Sequence, residues 1–478
     1  MDVAATRRQW ESAGQGHVFR FFDVLAAKQK EKLFGQLAHF QPSHVEALAG
    51  EYVTRKPEVK IPTGIQPVKA YPREPATAEE RKLYEDARRR GHDLLSQGKV
   101  AAFLVAGGQG TRLGYDGPKG EYPVTPIKNK PLFQVFAEQL RAHCRDFGKV
   151  VPWYIMTSDA NDAATRAFFA EHEYFGLNPT DVFFFQQGMM PAFGTDGRLL
   201  LADRDSLALS PDGHGGSLRA LERSGALADM RRRGVEHLSY FQVDNPLVHV
   251  VDPLFLGLHD LTGSEMSSKT ISKAGPLEKV GNFVEADGAV RVIEYSDLPE
   301  ELAKQTDARG RLRFNEGSIA IHALRRSFVE RLNGSGKLSL PWHRADKKVA
   351  YVDESGKIVK PEKPNAVKLE QFVFDAIPLA RNAIVYTTDR SEEFSPVKNA
   401  EGVDSPATCG RDQVRRAARW LETAGVTVAT NDGEPEAVVE ISPLFATSAE
   451  QLKQRTIGAR HIVKGEELYL GDASETGG

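Results

Sequence analysis

Six apolar residues, Val100-Ala101-Ala102-Phe103-Leu104-Val105, run into Ala106-Gly107-Gly108-Gln109-Gly110-Thr111-Arg112-Leu113-Gly114. An uncharged run of that length reads as a strand buried on both faces, the kind used in a parallel sheet. Gly107, Gly108 and Gly110 then leave a loop almost without side chains, whose backbone N–H groups can face a polyphosphate without steric interference. Arg112 adds a planar fork of donors suited to phosphate oxygens. Lys119, in Pro118-Lys119-Gly120, adds a mobile point charge. Two cations beside a glycine loop suggest a triphosphate site. It is neither of the two common phosphate loops. Leu113 stands where the dinucleotide fingerprint G-x-G-x-x-G needs its last glycine, and no Gly-Lys-Ser/Thr completes a Walker pattern.

At 478 residues the chain is too long for one simple core. Its 41% hydrophobic and 27% charged residues are those of an ordinary globular protein. A net charge of −3 supplies no basic field for nucleic acid or an anionic membrane, so any phosphate binding is local. Apolar runs are strand-sized, which predicts no membrane-spanning helix. The start, Met1-Asp2-Val3-Ala4-Ala5-Thr6-Arg7-Arg8, lacks an apolar signal region. Cys144 and Cys409 are the two cysteines and lack metal-ligand spacing; two thiols in a reducing cytoplasm are expected.

Phe19, Phe21, Phe22, Leu25, Leu33, Phe34, Leu37 and Phe40 recur at helix-like spacing and predict a helical hairpin within 14–50. Five prolines, Pro57, Pro62, Pro67, Pro72 and Pro75, make 54–77 an extended linker. A charged helix at 78–97 follows. From 100 to about 390 strands and helices alternate, which predicts a mixed or parallel α/β core. Helices are expected at 132–147, 159–173 and 411–424, strands at 150–157, 182–185 and 239–243, and a hairpin about Asp287-Gly288. In open α/β sheets ligands lie beyond the carboxyl ends of strands, so polar residues there are the candidates. Gln187 follows one such end, where its amide either caps a turn or donates and accepts at a nucleobase edge. Ser210-Pro211-Asp212-Gly213-His214-Gly215-Gly216 is either a long turn or a second backbone approach to a ligand. Asp244, in Val243-Asp244-Asn245-Pro246, is either a turn former or a metal-associated carboxylate.

The string Gly107-Gly108-x-Gly110-Thr111-Arg112-Leu113-Gly114 with Pro118-Lys119-Gly120 resembles the signature of the UTP:sugar-1-phosphate uridylyltransferases. Within them it is most similar to the eukaryotic-type UDP-N-acetylhexosamine pyrophosphorylases. Collinear resemblances run from about residue 14 to residue 444, among them Trp153-Tyr154-Ile155-Met156-Thr157-Ser158, Phe184-Phe185-Gln186-Gln187-Gly188, Glu294-Tyr295-Ser296, Phe314-Asn315-Glu316-Gly317-Ser318 and Ser395-Pro396-Val397-Lys398-Asn399. The resemblance implies a central Rossmann-like, GT-A-like α/β nucleotidyltransferase domain with a mixed sheet over 98–400. An N-terminal helical arm and linker over 1–97 and a small β-rich domain over 401–478 flank it.

It implies that UTP and a sugar 1-phosphate, foremost N-acetylglucosamine 1-phosphate, give a UDP-sugar and pyrophosphate. A phosphate oxygen attacks the α-phosphorus in line, Mg²⁺ assists, and no general base is required because the nucleophile is already an anion. Catalytic roles fall to Arg112, Lys119 and Lys398, and the metal to Asp244. Gly107, Gly108, Gly110, Thr111, Gln187, Gly213 and His214 would bind the nucleotide. Glu294, Tyr295, Asn315, Ser318 and Lys368 would bind the sugar phosphate. Two residues depart from the acetylhexosamine pattern: His214 and Ser318 each stand where asparagine is usual. The departures leave a UDP-glucose or broad UDP-sugar pyrophosphorylase as the alternative. A non-catalytic UDP-sugar sensor is the alternative of another class. No membrane or nucleic-acid partner is expected.

Overall fold

The computed structural model describes residues 3–57, 61–334, 338, 340–455, 460–472 and 475. They fall into two units, one of 1–60, 187–219 and 339–375, the other of 61–186, 220–338 and 376–478.

The larger unit is organised about Val100–Val105, which lies inside the main sheet, parallel to His237–Gln242 on one side and Trp153–Thr157 on the other. Across the sheet the order is Ala70–Tyr71, Ile384–Thr387, Met266–Ser272, Glu316–Arg325, His237–Gln242, Val100–Val105, Trp153–Thr157 and Val182–Gln186. Glu316–Arg325 runs against both of its neighbours, which makes the sheet mixed, as expected. Ala101, Ala102, Phe103 and Leu104 are fully buried, as an uncharged strand covered on both faces must be. The hairpin Gly281–Ala286 and Ala289–Ile293 hangs from Glu316–Arg325 through Gly281 and Asn282. Its two-residue turn puts Asp287 at φ 53° and Gly288 at φ 71°, the left-handed pair that suits hairpin twist.

Helix Ala78–Ser96 starts at a reciprocal cap, with the Glu80 N–H donating to Thr77 Oγ1 and the Thr77 N–H to Glu80. It packs backbone to backbone on Pro253–Leu261. A Cβ at Gly91 would lie 1.8 Å from the Pro253 carbonyl oxygen, and one at Gly257 would lie 1.7 Å from that of Ala87. Helix Leu132–Phe147 matches its predicted bounds. The next strand starts at Trp153 rather than 150, because Pro152 has no N–H to give to a ladder. The helix expected at 159–173 is shorter, Asp162–Glu171, and gives way to Glu173, Tyr174 and Phe175 at φ 50°, 52° and 54°. Bulky residues rarely adopt that region, so the sequence carries no sign of it. Helix Pro406–Thr423 begins earlier than the predicted 411, at a Ser405 cap followed by proline. It carries two short parallel strand pairs, Thr427–Val428 with His461–Ile462 and Val438–Ile441 with Glu467–Leu470.

The linker stretch 54–77 holds only the two-residue strands Gln66–Pro67 and Ala70–Tyr71, with 58–60 outside the described residues. Among the described residues no helix is long and apolar enough to cross a membrane.

The smaller unit holds the N-terminal stretch. Within 14–50 two 3-10 turns, Gly16–Phe19 and Phe22–Val24, precede a pair of helices, Ala27–Leu37 and Pro42–Leu48. Phe19, Phe22 and Phe34 meet ring against ring, with centroids 5.3 to 6.0 Å apart. Gln15 donates to the Gly197 carbonyl at 3.0 Å and accepts from the Leu199 N–H at 2.9 Å. Those bonds turn the chain out of helical geometry at a point that apolar spacing does not mark. A three-stranded sheet of Phe193–Gly194, Ala366–Glu370 and His343–Lys347 completes the unit.

Candidate active site

Beyond Val105 the glycine loop folds back on itself. The Gly110 N–H donates to the Gly117 carbonyl at 2.9 Å, and the Lys119 N–H to that of Gly108 at 3.1 Å. Thr111–Leu113 forms one 3-10 turn, closed by Gly114 at φ 70°. Asn161 holds the loop from the adjoining strand end. Its Nδ2 donates to the carbonyls of Ala106 at 2.9 Å and Gly108 at 3.3 Å, and its Oδ1 accepts from the Ser158 N–H at 2.7 Å. A Cβ at Gly120 would lie 2.1 Å from the Phe133 ring, so the Lys119 turn sits directly on the core. Gly108, in contrast, faces open space and is exposed. The loop therefore presents backbone outward while its shape is fixed from beneath.

The charged residues meet around Lys119. Burial holds its ammonium below the usual lysine range. Arg112 and Lys398 lower it further by repulsion, and Asp244 opposes them. Among the described residues the Lys119 side chain makes no hydrogen bond or ion pair, nor does that of the exposed Arg112. Asp244 lies in the turn after His237–Gln242, and its carbonyl accepts from the Val397 N–H at 2.7 Å. Its half-buried carboxylate is likewise without a hydrogen bond or ion pair among the described residues. Asn245 ties the same two segments together, donating to the Glu393 carbonyl at 2.6 Å and accepting from the Ser395 N–H at 3.1 Å. Lys398 lies 3.6 Å from Asp404 and 5.5 Å from the centre of the Phe394 ring. Four residues from three distant segments of the chain, Arg112 and Lys119, Asp244, and Lys398, thus share one electrostatic environment.

No group of three or more His, Cys, Asp or Glu able to hold a metal occurs among the described residues. A lone carboxylate without a partner fits a Mg²⁺ that keeps its waters and is shared with substrate phosphates, and does not fit an all-protein cage.

The sugar-side candidates come together in part. A Cβ at Gly281 would lie 3.6 Å from both Glu294 Oε1 and the Ser318 Cβ, so those two side chains flank one glycine. The Asn315 carbonyl accepts from the Lys273 N–H at 3.0 Å, next to the start of Glu316–Arg325. Tyr295 is 46% exposed, and among the described residues its side chain makes no hydrogen bond or ring contact to the others.

In the smaller unit Gln187, Gly213 and His214 form one cluster. Gln187 Nε2 donates to the Gly213 carbonyl at 3.4 Å. Gly213 has φ 87°, and a Cβ there would lie 2.4 Å from the Gln371 carbonyl oxygen, so glycine is required. His214 Nδ1 accepts from the Val373 N–H at 3.1 Å, which leaves the ring proton on Nε2. Its ring stacks on Phe372 at 5.1 Å and 17°. Burial, with the nearby His343, pushes it down to about 4, so the ring is neutral. Lys368 stands mid-strand opposite Ala345, half-buried and without a hydrogen bond or ion pair among the described residues.

Asn161 and Asn245 are not among the residues expected from the sequence. Each carries a signal there, since each follows a strand end by a few residues, where an amide can satisfy two segments at once.

A glycine loop at the end of a central parallel strand, with two lysines, an arginine and a carboxylate converging beside it, is the arrangement of a nucleotidyltransferase. The family model described as UTP--glucose-1-phosphate uridylyltransferase matches residues 46–405, and the chain belongs to that family. It is 38% identical to the UDP-N-acetylhexosamine pyrophosphorylase-like protein 1 of Xenopus tropicalis, over 94% of this chain and 93% of the relative. It is 36% identical to the UDP-N-acetylglucosamine pyrophosphorylase of Saccharomyces cerevisiae, over 94% of this chain and 96% of the relative. Among solved structures, the uridine diphosphate N-acetylglucosamine pyrophosphorylase of Trypanosoma brucei superposes with a TM-score of 0.82 at 26% identity, covering 99% of both chains. A UDP-glucose pyrophosphorylase from Leishmania major shares the fold alone, with a TM-score of 0.60 at 15% identity over 94% of this chain and 96% of that one.

Proposed function

We propose that this chain joins UTP to N-acetylglucosamine 1-phosphate, releasing pyrophosphate and forming the UDP-sugar, by in-line attack of a sugar-phosphate oxygen on the α-phosphorus. The observation that carries this reading is the convergence of Arg112, Lys398 and Asp244 on a half-buried Lys119 whose side chain has no hydrogen bond or ion pair among the described residues. Such cations are costly in the free protein and become favourable when phosphate charge arrives, which is how a preorganised site lowers a barrier. The loop amides and Arg112 hold the β- and γ-phosphates. Lys119 and Lys398 neutralise charge that builds on the α-phosphate and the departing pyrophosphate. Asp244 would hold Mg²⁺, which would supply further neutralisation of the phosphate charge.

Gln187 reads the base. His214, neutral and anchored at Nδ1, offers its Nε2–H to the ligand. Glu294, Asn315 and Ser318 accept or donate at the sugar, and Lys368 meets its phosphate. The same reading places the enzyme in the cytoplasm, where thiols such as Cys144 and Cys409, neither in a disulfide, stay reduced.

The names of relatives at 36–38% identity support the acetylhexosamine as substrate. His214 and Ser318 favour a second reading, in which glucose 1-phosphate is used as well or instead. Pyrophosphate release with UTP and Mg²⁺ tests both, comparing N-acetylglucosamine, N-acetylgalactosamine and glucose 1-phosphates. The first reading requires the highest kcat/KM with an acetylhexosamine, and a preference for glucose replaces it with the second. UDP-sugar binding without any turnover would refute both and leave a sensor.

A further inference from the structure

Lys269 lies in Met266–Ser272 with its side chain fully buried, and no step of the reaction uses it. Its ammonium donates to Asp252 Oδ2 at 2.6 Å and makes a short contact with Glu393, and it lies 5.3 Å from the centre of the Phe255 ring. Asp252 is itself committed, its other oxygen accepting from the Leu254 N–H at 2.9 Å at the start of helix Pro253–Leu261. One buried cation thus faces a buried carboxylate, Glu393, and a partly buried one, Asp252, an arrangement whose desolvation offsets much of its attraction. Packed apolar side chains would serve stability as well. The group therefore calls for an account other than stability.

Two further features surround it. Lys269 stands where the pairing of Met266–Ser272 with Glu316–Arg325 shifts register, between Ser268 and Thr270. On the facing strand Ala320 is held at φ 54°, a strained conformation for an alanine inside a strand. The register shift thus begins at Ser318, one of the sugar-side candidates.

Glu393 leads directly to the transfer site. Its carbonyl accepts from Asn245, whose Oδ1 accepts from the Ser395 N–H. Two residues on, the Val397 N–H donates to the Asp244 carbonyl, and Lys398 follows. Every link from Lys269 to Asp244 and Lys398 is therefore a bond of 3.1 Å or less.

We propose that Lys269, Asp252 and Glu393 form a positioning triad that fixes segment 393–398 against the Asp244 turn and so sets where Lys398 meets the substrate phosphates. This rests on the uridylyltransferase reading for what Lys398 does, but not for where it is held. The triad orients and does not touch substrate. Its members are positioning residues.

Glu393→Gln is the test. It keeps the shape and an acceptor for Lys269 but removes the charge. Positioning errors of an ångström cost on the order of tenfold to a hundredfold in rate, so kcat should fall by that factor. KM for UTP should stay within about twofold, because the glycine loop is untouched. A double-mutant cycle with Lys398→Ala distinguishes this from a general structural effect. If Glu393 acts through Lys398, adding Glu393→Gln to Lys398→Ala costs nothing more; additive losses overturn the proposal. Wild-type kcat in the folded Glu393→Gln protein also overturns it.

Hydrogen exchange reads the same placement without turnover. Exchange at the Ser395 and Val397 amides should rise about tenfold or more in Glu393→Gln while the central strand keeps its protection. Unchanged exchange refutes the triad whether or not the wild type turns over, so its failure is separable from failure of the proposed reaction. Should Glu393→Gln not fold, Asp252→Asn, which retains the helix cap, must give the same kinetic and exchange pattern.

Discussion

Replacing Lys119 with methionine removes an ammonium and leaves a side chain of nearly the same length. In the free protein that ammonium has no hydrogen bond or ion pair among the described residues. Burial and the cations Arg112 and Lys398 disfavour its charge, and Asp244 opposes them only in part. The folded-state value therefore lies below the unfolded one. In the interval between the two the unfolded chain binds the extra proton, so the charge costs stability at neutral pH. That cost disappears as the pH rises through the interval. Lys119→Met should consequently melt at the wild-type temperature or above it. Its turnover should fall on the order of 10²- to 10³-fold, about 2.7–4 kcal/mol, the loss expected for one donor in a preorganised electrostatic site. Paired melting curves and pyrophosphate release under saturating UTP check both halves. Turnover within about threefold of wild type would remove Lys119 from the chemistry. A melting temperature several degrees lower would mean that its charge supports the fold, and would refute the claim that the ammonium is held at a cost.

Asn161→Ala strips the bonds to the Ala106 and Gly108 carbonyls, and should lower unfolding free energy in urea by about 1–3 kcal/mol while raising KM for UTP; an unchanged KM would separate loop shape from nucleotide binding. Burial pushes His143 and His237 down to about 4, so the unfolded chain takes up their protons first and stability falls as the pH drops from about 6.5 toward 4. Melting temperatures taken across that range should decline, and His143→Gln should flatten the decline; an unaltered slope contradicts the assignment. His214→Asn retains an acceptor for the Val373 N–H but loses the ring over Phe372. It should raise the kcat/KM ratio of N-acetylglucosamine 1-phosphate over glucose 1-phosphate by about 10- to 200-fold, the range one pocket group commands, and an unmoved ratio clears His214 of sugar choice.

What is legible in the sequence is local or repeated. The uncharged run at Val100 announces a doubly covered strand because burial on both faces admits no polar residue. Asp287-Gly288 announces its turn because few residues take positive φ twice in succession. The glycine loop and its cations can be read because loop, arginine and lysine lie within a few residues of each other. In the N-terminal stretch the helical character is legible, and helices Ala27–Leu37 and Pro42–Leu48 lie within it, but the 3-10 turns before them are not, because Phe19 and Phe22 owe their spacing to a cluster with Phe34. The bonds from Gln15 to Gly197 and Leu199 come from residues far along the chain, and periodicity is blind to them. Lys269 is hidden for the same reason. Alone among the serines and threonine of its strand it looks like a solvated lysine, and only the fold supplies Asp252 and Glu393.

The groups nearest the proposed chemistry share one property: each is worse off in the free protein than an ordinary residue would be. The Lys119 ammonium is half-buried with no hydrogen bond or ion pair among the described residues, Ala320 is strained, and Glu393 is pushed up to about 7 by burial, beside Asp252 and despite the ammonium next to it. Such costs persist only where the surroundings leave no alternative. Close backbone packing supplies that constraint in the larger unit. The Lys119 turn rests on Phe133, and Asp252 begins the helix whose backbone meets Ala78–Ser96 at Gly91 and Gly257. A helix pair in backbone contact has no slack through which a displaced charge could relax. On the proposed reaction, the close packing that looks purely structural would therefore be what keeps the cations in place for the triphosphate. Widening it, by a residue larger than glycine at 91 or 257, should impair turnover before it unfolds the protein.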